Sequence, residues 1–146
     1  MADSVKQQIV GAFTTILSGI SGVGMVSPNL KNWEEMQPQD FPAAFPVDEG
    51  DETERWAYPH GTSDDMATEL IIIVWCYVYD KYGETAQKKF DFERSVILAV
   101  EADPTLGGLV LDVYKSGADT DAGVVPKHRI FNIRFRVRYD YNHLVP

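Results

Sequence analysis

The sequence predicts an α+β fold: a mixed, mostly antiparallel β-sheet with two main helices packed on one face. Three observations carry this. Apolar residues recur at three- and four-residue steps near the N-terminus and again over residues 84–101, which is helical spacing. Residues 130–141 have the two-residue period of a strand, and 69–79 form an apolar run that fits a strand covered on both faces. The order helix, strands, helix, strands suits helices laid on one side of a sheet. With no internal repeat, low-complexity tract or linker, residues 1–146 read as a single domain with a Pro-rich arm or edge segment at about 28–54.

The first helix is capped by Asp3 or Ser4, and Val5, Ile9, Phe13, Ile16, Leu17 and Ile20 form its apolar stripe. Gly19, Gly22 and Gly24 end it, and residues 23–26 read as a short strand. Pro28, Pro38, Pro42 and Pro46 punctuate the next stretch, with Trp33, Met36, Phe41 and Phe45 as apolar anchors and one helical turn expected at 33–36. Proline lacks the N–H a central strand needs, so this segment belongs at an edge. A brief extended piece at 43–47, an acidic run and a second strand at 55–58 are expected to follow.

Residues 69–79 are the strongest strand. Leu70, Ile72, Val74, Cys76 and Val78 share one face, and Ile71, Ile73, Trp75, Tyr77 and Tyr79 share the other. Both faces are apolar, so both call for a cover. The second helix, 84–101, has Ala86, Phe90, Ile97 and Val100 as its expected stripe, with Lys88, Lys89 and Arg94 off it. It stops at Asp103-Pro104 because the residue before proline is driven out of the helical region. A strand at 109–115, a polar loop at 116–126 and a long alternating strand at 130–141 complete the chain.

Composition narrows the function. The chain is 45% hydrophobic and 24% charged, the balance of a folded globule, with a net charge of −9. That surplus of carboxylates argues against a protein that coats nucleic acid by neutralising phosphates. The single cysteine, Cys76, excludes an internal disulfide and a cysteine-based zinc cluster. The longest apolar run, 70–78, is under half of the roughly 20 residues a membrane span requires. No basic-then-apolar leader is expected, and the chain reads as soluble and made in a reducing cytoplasm.

Catalytic motifs read weakly. The glycines at 19–24 follow a helix, whereas phosphate loops precede one. His60, Asp64 and Asp65 lie close in sequence, but neither His128 nor His143 is spaced to complete a metal site, and turn residues explain them more simply. Ser63 lacks the glycine-flanked turn of a nucleophile. Cys76, amid aliphatics, reads as a small buried hydrophobe. No catalytic residue, metal or cofactor is therefore assigned.

Charge placement says more. Residues 33–54 hold eight acidic side chains, Glu49, Asp51 and Glu52 among them, and no basic one, whereas Arg134, Arg136 and Arg138 share one face of the last strand. Two readings follow. The arginines pair with carboxylates on a neighbouring strand of the same molecule, or they meet the acidic segment of another copy. Trp33, Phe41, Phe45, Trp56 and Tyr58 are more aromatic surface than an isolated small domain readily buries, so they are expected both to cap the second face of the 69–79 strand and to insert into a neighbouring subunit, and Trp33 and Phe41 join the candidate interface.

In order along the chain, four features resemble the tail terminator (tail completion) proteins of long-tailed bacteriophages. They are the N-terminal amphipathic helix ending at Ile20-Ser21-Gly22-Val23, the Pro-rich stretch with Phe41-Pro42-Ala43, the long strand at 68–79, and a second helix running into Asp103-Pro104-Thr105-Leu106-Gly107-Gly108-Leu109-Val110. The resemblance spans nearly the whole chain as a pattern. It implies a six-fold ring on the head-proximal end of the tail tube, ending tube polymerisation and joining tail to head. The implied partners are other copies of the chain, the tail tube protein, a head-completion or connector protein and a sheath protein. DNA would pass through the lumen without specific binding. The implied location is the virion tail or neck, assembled in the host cytoplasm, with no active site. Asp119 and Asp121 are then expected in a tube- or lumen-facing loop. Two other readings stand beside this one: another neck or head-completion joining protein, and a small-ligand-binding or enzymatic α+β domain with a concave polar pocket.

Overall fold

Ser4 starts the first helix. In the computed structural model, which describes residues 4–55, 66–121 and 126–140, its hydroxyl accepts the Gln7 N–H at 3.2 Å. The Gln7 side chain in turn accepts the Ser4 N–H at 2.8 Å, so two donors that a helix start leaves unpaired are satisfied reciprocally. Helix α1 runs Val5–Ser18 and buries Val5, Ile9, Phe13 and Leu17, an unbroken four-residue step. Gly19 is its C-cap, so the helix ends before Ile20, and only Met25–Val26 of the expected 23–26 strand is extended (β1).

Between β1 and the next strand, two 3-10 turns occupy Trp33–Glu35 and Pro38–Asp40. Gly24 sits against the second. A Cβ there would lie 2.5–2.7 Å from backbone atoms of Gln39 and Asp40, so only glycine allows the approach.

Strand β2 spans Ala43–Arg55 without a break and corrects the expected arrangement at this point. The acidic run lies within one long strand rather than between two, so the arm expected at 28–54 ends at Phe41-Pro42. Residues 56–58 of the expected second strand, with Trp56 and Tyr58, lie outside the described residues, as do His60, Ser63, Asp64, Asp65 and His143. Strand pairing overrides local composition here: β2 pairs along its length with β3, Met66–Tyr79, and absorbs its irregularity in a bulge between Asp48 and Gly50.

Helix α2 spans Thr85–Glu101 and buries Thr85, Phe92, Val96 and Val100. This corrects the expected stripe, because Phe90 is 61% exposed and Ala86 also faces water. Lys89, expected off the stripe, lies on the buried side, its ammonium 2.6 Å from Glu93 and 5.5 Å from the Phe131 ring centre. After the helix, Asp103 accepts the Gly107 N–H at 3.0 Å and Thr105 accepts the Gly108 N–H at 3.2 Å. Leu106, Gly107 and Gly108 all have positive φ, and Leu106 is pressed into the core from this tight turn.

Strand β4 covers Asp112–Thr120, not 109–115, and β5 covers His128–Asp140. The polar half of β4 was expected as loop. The sheet order is β1-β2-β3-β5-β4, with β1 parallel to β2 and the other neighbours antiparallel. Helix α1 lies over β1 and β2, and α2 over β3, β5 and β4. Beneath them Leu70, Ile72, Val74, Cys76 and Val78 meet Phe131, Ile133, Phe135, Val137 and Tyr139, all buried. Phe13 and Phe135 pack with their rings tilted at 54° and their centres 5.6 Å apart. Each large aliphatic or aromatic side chain so buried contributes about 1.5–3 kcal/mol, which makes this layer the main source of stability. The α+β architecture with both helices on one sheet face is the one the sequence predicts.

Candidate functional site

Strand alternation turns Ile71, Ile73, Trp75, Tyr77 and Tyr79 away from the helices, and the described residues cover one end of that second face. The segment between β1 and β2 crosses it there. Tyr77 donates its hydroxyl to the Lys31 carbonyl at 2.9 Å and packs 5.2 Å from the Phe45 ring. Burial pushes the Tyr77 phenol up from its ordinary value. Trp33, Phe41 and Tyr79 close around His128 with ring centres 4.6, 5.3 and 5.0 Å away. Trp33 and Phe41 thus serve the molecule's own cover, each still partly exposed.

Toward the other end none of the described residues lies over the sheet. Ile71 and Ile73 stay partly exposed there, as do Val47 and Trp75, which pack against the edge of the Phe45–Tyr77 cluster. Beside them runs a row of ion pairs fixed by strand register. Arg134 Nη1 lies 3.1 Å from Asp119 Oδ2, and Arg136 Nη1 lies 2.9 Å from Glu69 Oε2. Arg138 forks onto Asp112, donating Nε to Oδ1 at 2.7 Å and Nη2 to Oδ2. The Asp112 hydrogen bonds hold the Arg138 guanidinium above its ordinary pKa. Tyr114 donates to the second oxygen of Glu69 at 3.0 Å, and its phenol is raised by desolvation first and by that carboxylate second.

Of the two readings of the arginine face, the structure places all three arginines against carboxylates of the same chain. Glu49 sits in the β2 bulge, while the backbones of Asp51 and Glu52 pair with Leu70 and Glu69. Strand β3 therefore separates the acidic strand from the arginines. Asp119, expected in a loop, is a β4 residue opposite Asn132, which corrects that assignment. Asp121 follows the strand, with its N–H on the Ile130 carbonyl at 2.9 Å. Sequence reasoning missed Glu69 and Asp112 as the arginines' partners, and Tyr114 as the donor to Glu69. Glu69 was the one detectable signal, a lone carboxylate opening a nine-residue apolar run.

A cleft of about 360 Å³ opens on the helix side between the end of α1 and α2. Ile20, Phe41, Val78 and Phe92 form its apolar wall, with Asp91, Ser95 and Lys88 at the rim. Lys88 is held by Asp80 at 3.1 Å and by the Tyr79 carbonyl at 3.1 Å. Cys76 is fully buried, and burial first, then the Glu93 charge, raises its thiol well above the ordinary value. Such a thiol is a poor nucleophile. Among the described residues no three of His, Cys, Asp and Glu are placed to hold a metal, and no helix is long and apolar enough to cross a membrane. No protein-family model matches the chain, and no curated protein matches it.

Proposed function

We propose that this chain is a structural subunit of a phage tail: a ring-forming protein that ends the tail tube at its head-proximal end and joins tail to head. The observation that carries the proposal is the half-covered sheet face. Ile71, Ile73 and Trp75 form an apolar strip with a rim of arginines already oriented by their carboxylates. An apolar centre with a polar, arginine-bearing rim is the anatomy of a protein-binding surface. The arginines are held in place before any partner arrives, which lowers the ordering cost of docking. The order of elements and the Asp103–Val110 turn, which resemble those of tail terminator proteins, supply the identity of the partner: the tube end on one side and a connector on the other. A net charge of −9 per subunit suits a ring through which DNA passes without sticking.

The test adds the purified protein to tail tubes and examines them by electron microscopy. A density capping one end of each tube, with tube growth halted there, is expected. Tubes that remain bare and keep growing overturn the proposal. A ligand-binding domain is the second reading, and the cleft beside Phe41 and Lys88 favours it. Small-molecule stabilisation of an isolated monomer, with no effect on tubes, would select that reading.

A further inference from the structure

The cleft between the end of α1 and α2 has the make-up of a site for a small guest. The rings of Phe41, Tyr79 and Phe92 line it, alongside Ile20 and Val78. Val78 and Phe92 are almost fully buried, so its deep part is apolar. The Phe41 and Tyr79 rings lie 5.8 Å apart, tilted by 31°. At roughly 30 Å³ per liquid water, its volume of about 360 Å³ holds a ligand of about ten non-hydrogen atoms.

Two charged side chains line the cleft, Lys88 and Asp91. Lys88 is already neutralised: its ammonium lies 3.1 Å from Asp80 Oδ1 and donates to the Tyr79 carbonyl at 3.1 Å. Asp80 also accepts the Glu84 N–H at 2.9 Å, so the positive start of α2 is neutralised as well. An anionic guest would have to displace Asp80. Asp91 differs. It is exposed, one of its oxygens accepts the neutral Gln87 amide at 2.9 Å, and among the described residues no cation pairs with it. Of the nearest cations in the helix, Lys89 holds Glu93 at 2.6 Å, and helical spacing turns Arg94 away from the flank that Lys88, Asp91 and Ser95 share. The charged residue closest to Phe41 in sequence is Asp40, a further carboxylate.

We propose that the cleft binds a small organic ammonium ion, a free amine with a compact apolar body. The body fills the space lined by Ile20, Val78 and Phe92. The ammonium sits at the rim on the Asp91 carboxylate and the Ser95 oxygen, one helical turn apart on the same flank of α2. Ser95 donates its hydroxyl hydrogen to the Asp91 carbonyl at 3.0 Å, so its oxygen keeps lone pairs for the guest. Two separate features select a cation. One is the carboxylate without a counter-ion; the other is the aromatic lining, since the negative faces of rings attract ammonium groups. A lysine side chain reaching in from another protein has the same head group but fills roughly half of the volume or less. The inference names a ligand class for the cleft and does not depend on the ring reading.

Phenethylamine, phenethyl alcohol and hydrocinnamate share one body and differ only in head group, which makes them the test. Calorimetric titration of the full chain should show saturable binding of the amine, roughly tenfold weaker binding of the alcohol, and none of the carboxylate. Asp91→Asn should bring the amine down to the affinity of the alcohol while leaving alcohol binding unchanged, a split that a general loss of structure does not produce. Butylamine, the equivalent of a lysine stem, should bind more weakly than phenethylamine. An amine that binds no better than the alcohol, a carboxylate that binds as well, or an Asp91→Asn chain with full amine affinity overturns the proposal, as does the absence of any binding. Butylamine binding as tightly as phenethylamine overturns the assignment to a free ligand. Tube capping is scored with no amine present, so the ring proposal stands or falls separately.

Discussion

Arg136 on β5 reaches diagonally across the open face of the sheet to Glu69 on β3, Nη1 to Oε2 at 2.9 Å, and Tyr114 on β4 closes on the second Glu69 oxygen at 3.0 Å. Three strands are thereby tied through one carboxylate, which is nearly buried.

Reversing the charge with Arg136→Glu should accordingly lower the stability of the isolated chain. The pair is partly exposed, so the loss should be about 1–3 kcal/mol, below that of a fully buried pair. Urea denaturation of wild type and variant reads it directly. An unchanged midpoint would mean that the arginine contributes only to intermolecular contacts.

Neighbouring residues of β3 should differ sharply. Ile72 is fully buried beneath the helices, whereas Ile73 faces the half-covered side. Ile72→Ala should cost about 2–5 kcal/mol, and Ile73→Ala clearly less. If Ile73 belongs to the partner-binding strip, its variant should lose tube capping while keeping most of its thermal stability. Equal losses of stability at both positions would show that the second face is as closed as the first.

Two glycines make a matched pair. At Gly24 a methyl group meets backbone atoms at 2.5–2.7 Å, so Gly24→Ala forces the β1 entry and the Pro38–Asp40 turn apart. A loss of about 1–3 kcal/mol is expected, as for other overpacked sites. At Gly11 nothing lies within 4 Å, and alanine should stabilise α1 by about 0.5–1 kcal/mol. Thermal melts of the two variants should shift in opposite directions.

Asp80 sets a pH dependence. It accepts the N–H groups of Glu84 at 2.9 Å and Tyr82 at 3.0 Å and pairs with Lys88, taking the capping role that the Glu84 side chain leaves unfilled at the start of α2. The Glu84 backbone bond foremost, then Lys88, holds its pKa below the ordinary 3.8. A carboxyl more acidic in the folded state stabilises the fold above its unfolded pKa and loses that contribution as pH falls through the folded value. The melting-temperature gap between wild type and Asp80→Asn should therefore be full at neutral pH and close below about pH 4. A gap independent of pH would rule out the ionised carboxylate as the cause.

The sequence made the helix-side core legible because its signals are local. Val5, Ile9, Phe13 and Leu17 keep a four-residue step, and the alternations through Leu70–Val78 and Phe131–Tyr139 fall on the faces they were expected to occupy. It failed where pairing or neighbours decide. The acidic letters of β2 and the Ser-Gly-Ala-Asp of β4 read as loops, yet outer strands tolerate such residues when β3 or β5 supplies the ladder. In α2, apolar letters alone pointed to Phe90. Lys89 instead lays its aliphatic stem over the core and leads its charge to Glu93, so the buried face does not look apolar. The arginines of the candidate site were found, but their partners were not, since Glu69 and Asp112 meet them only through strand register.

Cys76 lies sealed beneath α2 and is the only sulfhydryl in the chain. Maleimide dyes should pass over the native protein and report its unfolding by the rate at which they label. A cysteine introduced on either lateral edge would then carry a fluorophore alone, with no background to subtract.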